Sequence, residues 1–99
     1  MRFENEYGSC ELNPFPHCKH IVVSNKAFIW PQYRGKGHGY RNHQLRLKRA
    51  KDMGYKVVIC TVRSDNQPER RILQRAKWKM VHWTYSDSGK WVEIWVKDL

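Results

Sequence analysis

Residues 31–42 read PQYRGKGHGYRN: glycines at 35, 37 and 39 alternate with Arg34, Lys36 and His38. Glycine loses more conformational entropy on folding than any other residue, so such a cluster marks a backbone that turns sharply or approaches something closely. The flanks narrow the choice. The run 18–30, CKHIVVSNKAFIW, is strand-like, either one bent strand or two strands joined at Ser24-Asn25-Lys26, and Pro31 ends it. Residues 39–53 follow with Tyr40, His43, Leu47, Ala50 and Met53 at three- and four-residue spacing, which predicts a helix. Its opposite face carries Arg41, Arg46, Lys48, Arg49 and Lys51, and Gly54 supplies a C-terminal stop. A strand that enters a helix through a glycine loop is an anion-binding arrangement. Free N–H groups of the first helical turn point at the ligand, and the helix dipole adds about half a positive charge there. Arg34 and Lys36 add full charges at the rim.

The rest of the chain fits one small domain, 1–99. Residues 1–17 have weak periodicity and read as an arm or a short edge strand; 18–96 hold the core. The apolar run 55–62, YKVVICTV, reads as a buried strand, in which Cys60 is an inert thiol. Residues 67–77 read as a second helix, capped by Asp65 or Asn66 with Pro68 in its first turn. Two strands, WKMVHWTY and KWVEIWV, follow around the turn Ser86-Asp87-Ser88-Gly89. The order is β-α-β-α-β-β, an α/β or α+β fold with a mixed sheet. Trp83, Trp91 and Trp95 read as core or edge packing, and His43 as a polar residue at the core edge.

The formal charge of +10 is unevenly placed: of 19 Lys and Arg, seven lie in 34–51 and six in 63–79. That clustering predicts an anionic partner. No apolar run is long enough to span a membrane and the N-terminus lacks a signal-peptide block, which predicts a cytoplasmic protein with no membrane partner. Three cysteines fit a reducing compartment; Cys10, His17, Cys18 and His20 match no regular zinc spacing, and no metal is expected.

Phosphate-binding patterns differ in spacing. A P-loop needs Gly-Lys followed by Ser or Thr, which is absent, and a dinucleotide fingerprint needs G-x-G-x-x-G where this chain has G-x-G-x-G. The stretch RGKGHG instead resembles motif A of the GNAT acetyltransferases, [Q/R]-x-x-G-x-[G/A], at Arg34, Gly37 and Gly39. The preceding WPQY is similar to the Pro-containing link after that family's fourth strand. VVICTVRSDNQPERRILQRAKWKMV is similar to its next strand, an Asn, a short helix and a Gly-Phe pair, with Asn66 on the Asn and Trp78 near the Phe. The likeness covers about residues 18–96 and implies a mixed, mostly antiparallel GNAT-like sheet with the N-terminal elements reduced.

The resemblance implies acetyl-CoA as cosubstrate. Its pyrophosphate would lie on the N–H groups of Gly35, Lys36, Gly37, His38, Gly39 and Tyr40, beside Arg34. Its pantetheine arm would pair with main-chain groups of Phe28, Ile29 and Trp30, where the two central strands splay apart, and Asn66 would bond the arm or the thioester end. Blocking the backbone approach with a β-branched residue at Gly37 or Gly39 is expected to abolish binding. The acceptor implied is an amine, on a protein of acidic surface or another macromolecule, since the helices that usually build the acceptor pocket are missing ahead of the loop; a homodimer could also complete that pocket.

Catalytic positions depart from the family. No Asp or Glu occurs between Leu12 and Lys51, where the usual base Glu would fall. Leu73 stands at the position of the usual acid Tyr, and Lys77 at the Gly of the Gly-Phe pair. His20, Ser64 and Tyr85 are the substitute candidates for proton transfer. Two other readings follow: a catalytically degenerate GNAT-fold inhibitor or adaptor, favoured by Leu73, and a basic winged-helix-like nucleic-acid binder, which would have no use for the glycine loop.

Overall fold

A computed structural model describes residues 1–99, with every side chain but that of Lys26. The strands are β1 (Arg2–Glu4), β2 (Gly8–Phe15), β3 (Cys18–Ile29), β4 (Val57–Arg63), β5 (Lys79–Tyr85) and β6 (Trp91–Asp98); the helices are α1 (His38–Asp52) and α2 (Gln67–Arg75). One six-stranded sheet runs β1-β2-β3-β4-β6-β5. Only β3 and β4 pair in parallel; every other neighbour is antiparallel. The expected mixed, mostly antiparallel β-α-β-α-β-β core is present from β3 onward.

The N-terminal region differs from the expectation of an arm. Residues 2–4 do form a short edge strand, but 8–15 form a full strand paired along β3. Periodicity was weak there because Pro14 and Pro16 interrupt it; Pro14 is accommodated near the strand end, opposite Val22. Residues 18–29 are one bent strand, not two. Between Ser9–Phe28 and Glu11–Asn25 the register slips by one residue, so β3 bulges before Phe28. A bulge bends its strand and sharpens the local twist.

The bulge falls in the stretch of β3 that has left β4. The parallel pairing of β3 with β4 covers Ile21–Val57, Val22–Val58 and Val23–Ile59 and then stops, although β3 continues to Ile29 and β4 to Arg63. The two strands splay beyond Val23, as the resemblance implied.

Both helices contribute to one core cluster. Ala50 of α1 and Leu73 of α2 join Leu12, Val22, Val58, Cys60, Val62, Trp78 and Trp95. Strand side chains alternate faces, so the register sets Ile21, Val23, Val57, Ile59, Ile94 and Val96 on the other side, at intermediate exposure. Trp95 is buried as expected, whereas Trp83 and Trp91 are exposed on the β5–β6 hairpin. No helix among the described residues is long and apolar enough to cross a membrane.

Helix ends follow their sequence signals, with one exception. Gly54 closes α1 at φ 92°, with Tyr55 N donating to Ala50 O and Gly54 N to Lys51 O. At the end of α2 the same pair of bonds runs from Trp78 N to Leu73 O and from Lys77 N to Gln74 O. There the left-handed position is held by Lys77, at φ 64°. Asn66 caps the start of α2, its Oδ1 accepting from Glu69 N at 3.3 Å.

Candidate functional site

The loop between β3 and α1 takes one turn of 3-10 helix, Pro31–Tyr33, and then two left-handed glycines, Gly35 at φ 76° and Gly37 at φ 80°. These two are glycines because of backbone conformation; a Cβ at either would meet nothing within 4 Å. The expectation for Gly37 is corrected accordingly: a β-branched residue there would be strained by its own backbone, whatever binds. Gly39 differs. A Cβ there would come within 3.1 Å of Ile72 Cδ1 in α2, a contact that the end of the Ile72 side chain must give way to.

Helix α1 begins at His38 with Gly37 as its cap residue, no side chain bonded to its first N–H groups and no acidic residue in its first turn. An uncapped start facing a glycine loop is fitted to an anion. The ring of His38 itself stacks on Tyr7 at 4.0 Å between centroids.

A cavity of about 700 Å³ opens between the end of β3, the start of α1 and the start of α2. Of the residues expected to hold the cofactor, Phe28, Ile29, Arg34, Gly35, Gly39 and Asn66 line it; Trp30, Lys36, Gly37, His38 and Tyr40 lie outside its lining. Arg34 reaches back across the strand end: its Nε donates to Ile29 O at 2.9 Å and its guanidinium lies 4.6 Å from the centre of the Phe28 ring. Arg75 covers the ring of Tyr40 at 3.9 Å. A second cavity of about 180 Å³ lies in the splay itself, between Ser24, Asn25 and Ala27 on β3 and Cys60 to Arg63 on β4. Ala27, Arg46, Asn66 and Glu69 line both.

Sequence reasoning set Arg46 on the solvated face of α1, and the structure corrects this. Arg46 is 4% exposed and belongs to a buried stripe with Asn42, His43 and Ala50. Its Nη2 meets Glu69 Oε1 at 3.4 Å and also contacts His43 Nδ1. Trp78 Nε1 donates to His43 Nε2 at 2.9 Å. Both ring nitrogens of His43 therefore face donors, and burial together with the Arg46 and Lys97 charges pushes its pKa down to about 3. Glu69, also missed, brings a carboxylate to the cavity from α2, one turn beyond Asn66. The signal was in the spacing: 39, 42, 43, 46 and 50 follow the helical period, as do 66 and 69, but polar residue types concealed it.

The three proton-transfer candidates are not brought together. His20 O accepts from Lys56 N at 2.8 Å, at the end of the β3–β4 pair away from the splay. Ser64 N donates to Trp91 O, outside the lining of both cavities. Tyr85 is exposed on the outer strand β5, its ring 3.8 Å from that of Trp91, with β6 between it and β4. Leu73 is fully buried in the core. Burial pushes the Cys60 thiol up to about 12, far from a reactive thiolate. Cys10 is buried beside α1, apart from His17, Cys18 and His20, which line a groove at the β2–β3 turn. No group of three or more His, Cys, Asp or Glu side chains that could hold a metal ion occurs among the described residues.

These features coincide with one known architecture. The sequence profile of the Acetyltransferase (GNAT) family matches residues 7–78, and the chain belongs to that family. Among solved structures, a GNAT-family chain from Desulfovibrio desulfuricans superposes with a TM-score of 0.80 at 15% identity, over 97% of this chain and 64% of that one. YncA from Salmonella typhimurium, solved with its cofactor acetyl-CoA, gives 0.80 at 14%, over 94% and 58%. The ribosomal-protein-S18-alanine N-acetyltransferase from Escherichia coli gives 0.79 at 10%, over 99% and 68%. At such identities the likeness is one of fold. The chain spans about three fifths to two thirds of the length of these structures. No curated protein matches the sequence.

Proposed function

We propose that this protein binds acetyl-CoA and transfers its acetyl group to an amine of a protein or other macromolecule. The observation that carries the reading is the joining of an uncapped α1 start, a glycine loop and a 700 Å³ cavity with the β3–β4 splay. The residues fit the cofactor. The N–H groups at 35–40 would take the pyrophosphate, and the strand edge past Val23, freed from β4, would take the amide-bearing arm as an added strand. Asn66 lines both cavities and would hold the arm near its thioester end. When bound, the cofactor supplies an activated acyl group. The chain's own contribution is orientation, which alone is worth several kcal/mol.

A macromolecular acceptor is supported by the basic surface and by the likeness to an enzyme named for a ribosomal protein's alanine. Arg41, Lys48, Arg49 and Lys51 are exposed along α1, suited to an acidic partner. Incubation with acetyl-CoA and a peptide library, read by mass spectrometry, tests the transfer. A gain of one acetyl group on amines of acidic peptides, suppressed by salt, is the expected result. Binding of acetyl-CoA with no acetylated product from any peptide or protein fraction would favour the adaptor reading, to which the buried Leu73 already points.

A further inference from the structure

The sheet has two faces, and the helices cover one. Ala50 of α1 and Leu73 of α2 join the same core cluster as Val22, Val58 and Trp95, so both helices pack on that side. The register sets Ile21, Val23, Val57, Ile59, Ile94 and Val96 on the other side of the three central strands, all part-exposed. Among the described residues none of the six packs on the core cluster. A sheet face this apolar is normally covered by a second layer, and adjoining Ile and Val side chains that meet water mark an interaction surface. Strands β2 to β6, at a spacing of ~4.8 Å and with about seven residues each at ~3.3 Å, make a face of roughly 550 Å². Two such faces in contact bury about 1,100 Å², above the ~1,000 Å² that a specific interface needs.

Charge selects the occupant. Helices α1 and α2 carry eight of the 19 Lys and Arg, so an acidic partner is drawn to the covered side. The bare face has no charge at its centre. By register its rim holds Arg63 and Lys79 together with Glu11 and Asp98, charges of both signs. Two molecules of net charge +10 repel each other over most of their surface, and this face is where the repulsion is least. A second copy also brings a sheet of the same twist, which aligned sheet-on-sheet packing needs. We propose that two copies of this chain associate through this face as a symmetric dimer. A twofold axis along β4, the middle one of strands β2 to β6, sets β3 of one copy on β6 of the other and keeps Lys79 away from its own counterpart. The inference does not rest on the cofactor reading, whose cavity opens beside α1 and α2.

Sedimentation equilibrium of the chain at micromolar concentration, in low and high salt, tests it, with circular dichroism as the control for folding. The wild type is expected at twice 12.0 kDa, and the dimer should hold or tighten as salt screens the repulsion between copies. Ile59→Lys sets a charge in the centre of the face and should give a folded monomer. If that variant does not fold, Ile59→Thr combined with Ile94→Thr keeps the β-branched shape and should still weaken dimerisation by more than about tenfold. Trp83 pairs with Glu93 and so faces the helix side, where it is exposed; Trp83→Lys should leave the dimer intact. A monomeric wild type, a dimer that survives the Ile59 and Ile94 changes in folded protein, one that Trp83→Lys abolishes, or one that high salt dissolves would overturn the proposal. Binding of acetyl-CoA is not part of this readout, so such a failure leaves the cofactor reading standing.

Discussion

The imidazole of His43 sits between the Trp78 indole and the Arg46 guanidinium, with no acceptor for a second proton. Its folded pKa of about 3 lies below the ordinary 6.5, so between those values the unfolded chain binds a proton that the native protein does not. Stability must then fall as pH drops through that window, by about 1.4 kcal/mol per unit once well below 6.5. Urea unfolding at pH 7.5 and 5.5 should show a loss of about 1.4 kcal/mol in the wild type that a folded His43→Leu variant does not share. An equal loss in both would disprove the assignment. Gly39 provides a second test at this scale. Gly39→Val sets a branched side chain against Ile72, whose Cδ1 would lie 3.1 Å from the new Cβ, so the variant should fold with a lowered melting temperature. Acetyl-CoA affinity of the folded variant should fall about tenfold, because the added side chain stands in the lining of the cavity. Of the residues that line the two cavities, Arg34 and Gly39 were legible in the glycine-loop pattern, and Asn66 as a helix cap and through the family resemblance. Ser24, Arg46 and Glu69 were not, because a polar residue buried by tertiary packing looks like a solvated one in a single sequence.

Each element carries its own balance of agreement and departure. The helix-to-strand order was readable throughout 18–96 because apolar period and capping residues agree there. Strand β2 was hidden by two prolines and by a bulge that no local pattern encodes. The bulge lies between Asn25 and Phe28, in the stretch of β3 that no longer pairs with β4. At the end of α2, Lys77 occupies a left-handed turn that glycine adopts without steric cost. Lys77→Gly should therefore stabilise the protein by about 1 kcal/mol in chemical denaturation, with ligand binding unaffected. A destabilisation would show that the Lys77 side chain makes a compensating interaction. The neighbouring Trp78 brings an indole N–H into the core that the family's Phe would not, and His43 accepts from it. That bond ties α1 to the residue just ahead of β5 and is visible only once the two segments are packed together.

For the whole molecule, the glycine loop, the cavity and the splay lie along one path from the start of α1 to the gap between β3 and β4. The basic charge covers the α1 surface beside that path, and the sequence expressed it directly as composition. The position of the path itself depends on where two strands part, which is a property of the assembled sheet. Its occupation by acetyl-CoA is the central claim, and backbone amide chemical-shift mapping tests it most directly. On titration with acetyl-CoA, the largest changes should fall on residues 35–40, on 24–29 and on Asn66, with little change in the β5–β6 hairpin or at the β2–β3 turn. Shifts confined to exposed cations of α1, or absent from 24–29 while the loop responds to any phosphate, would contradict it.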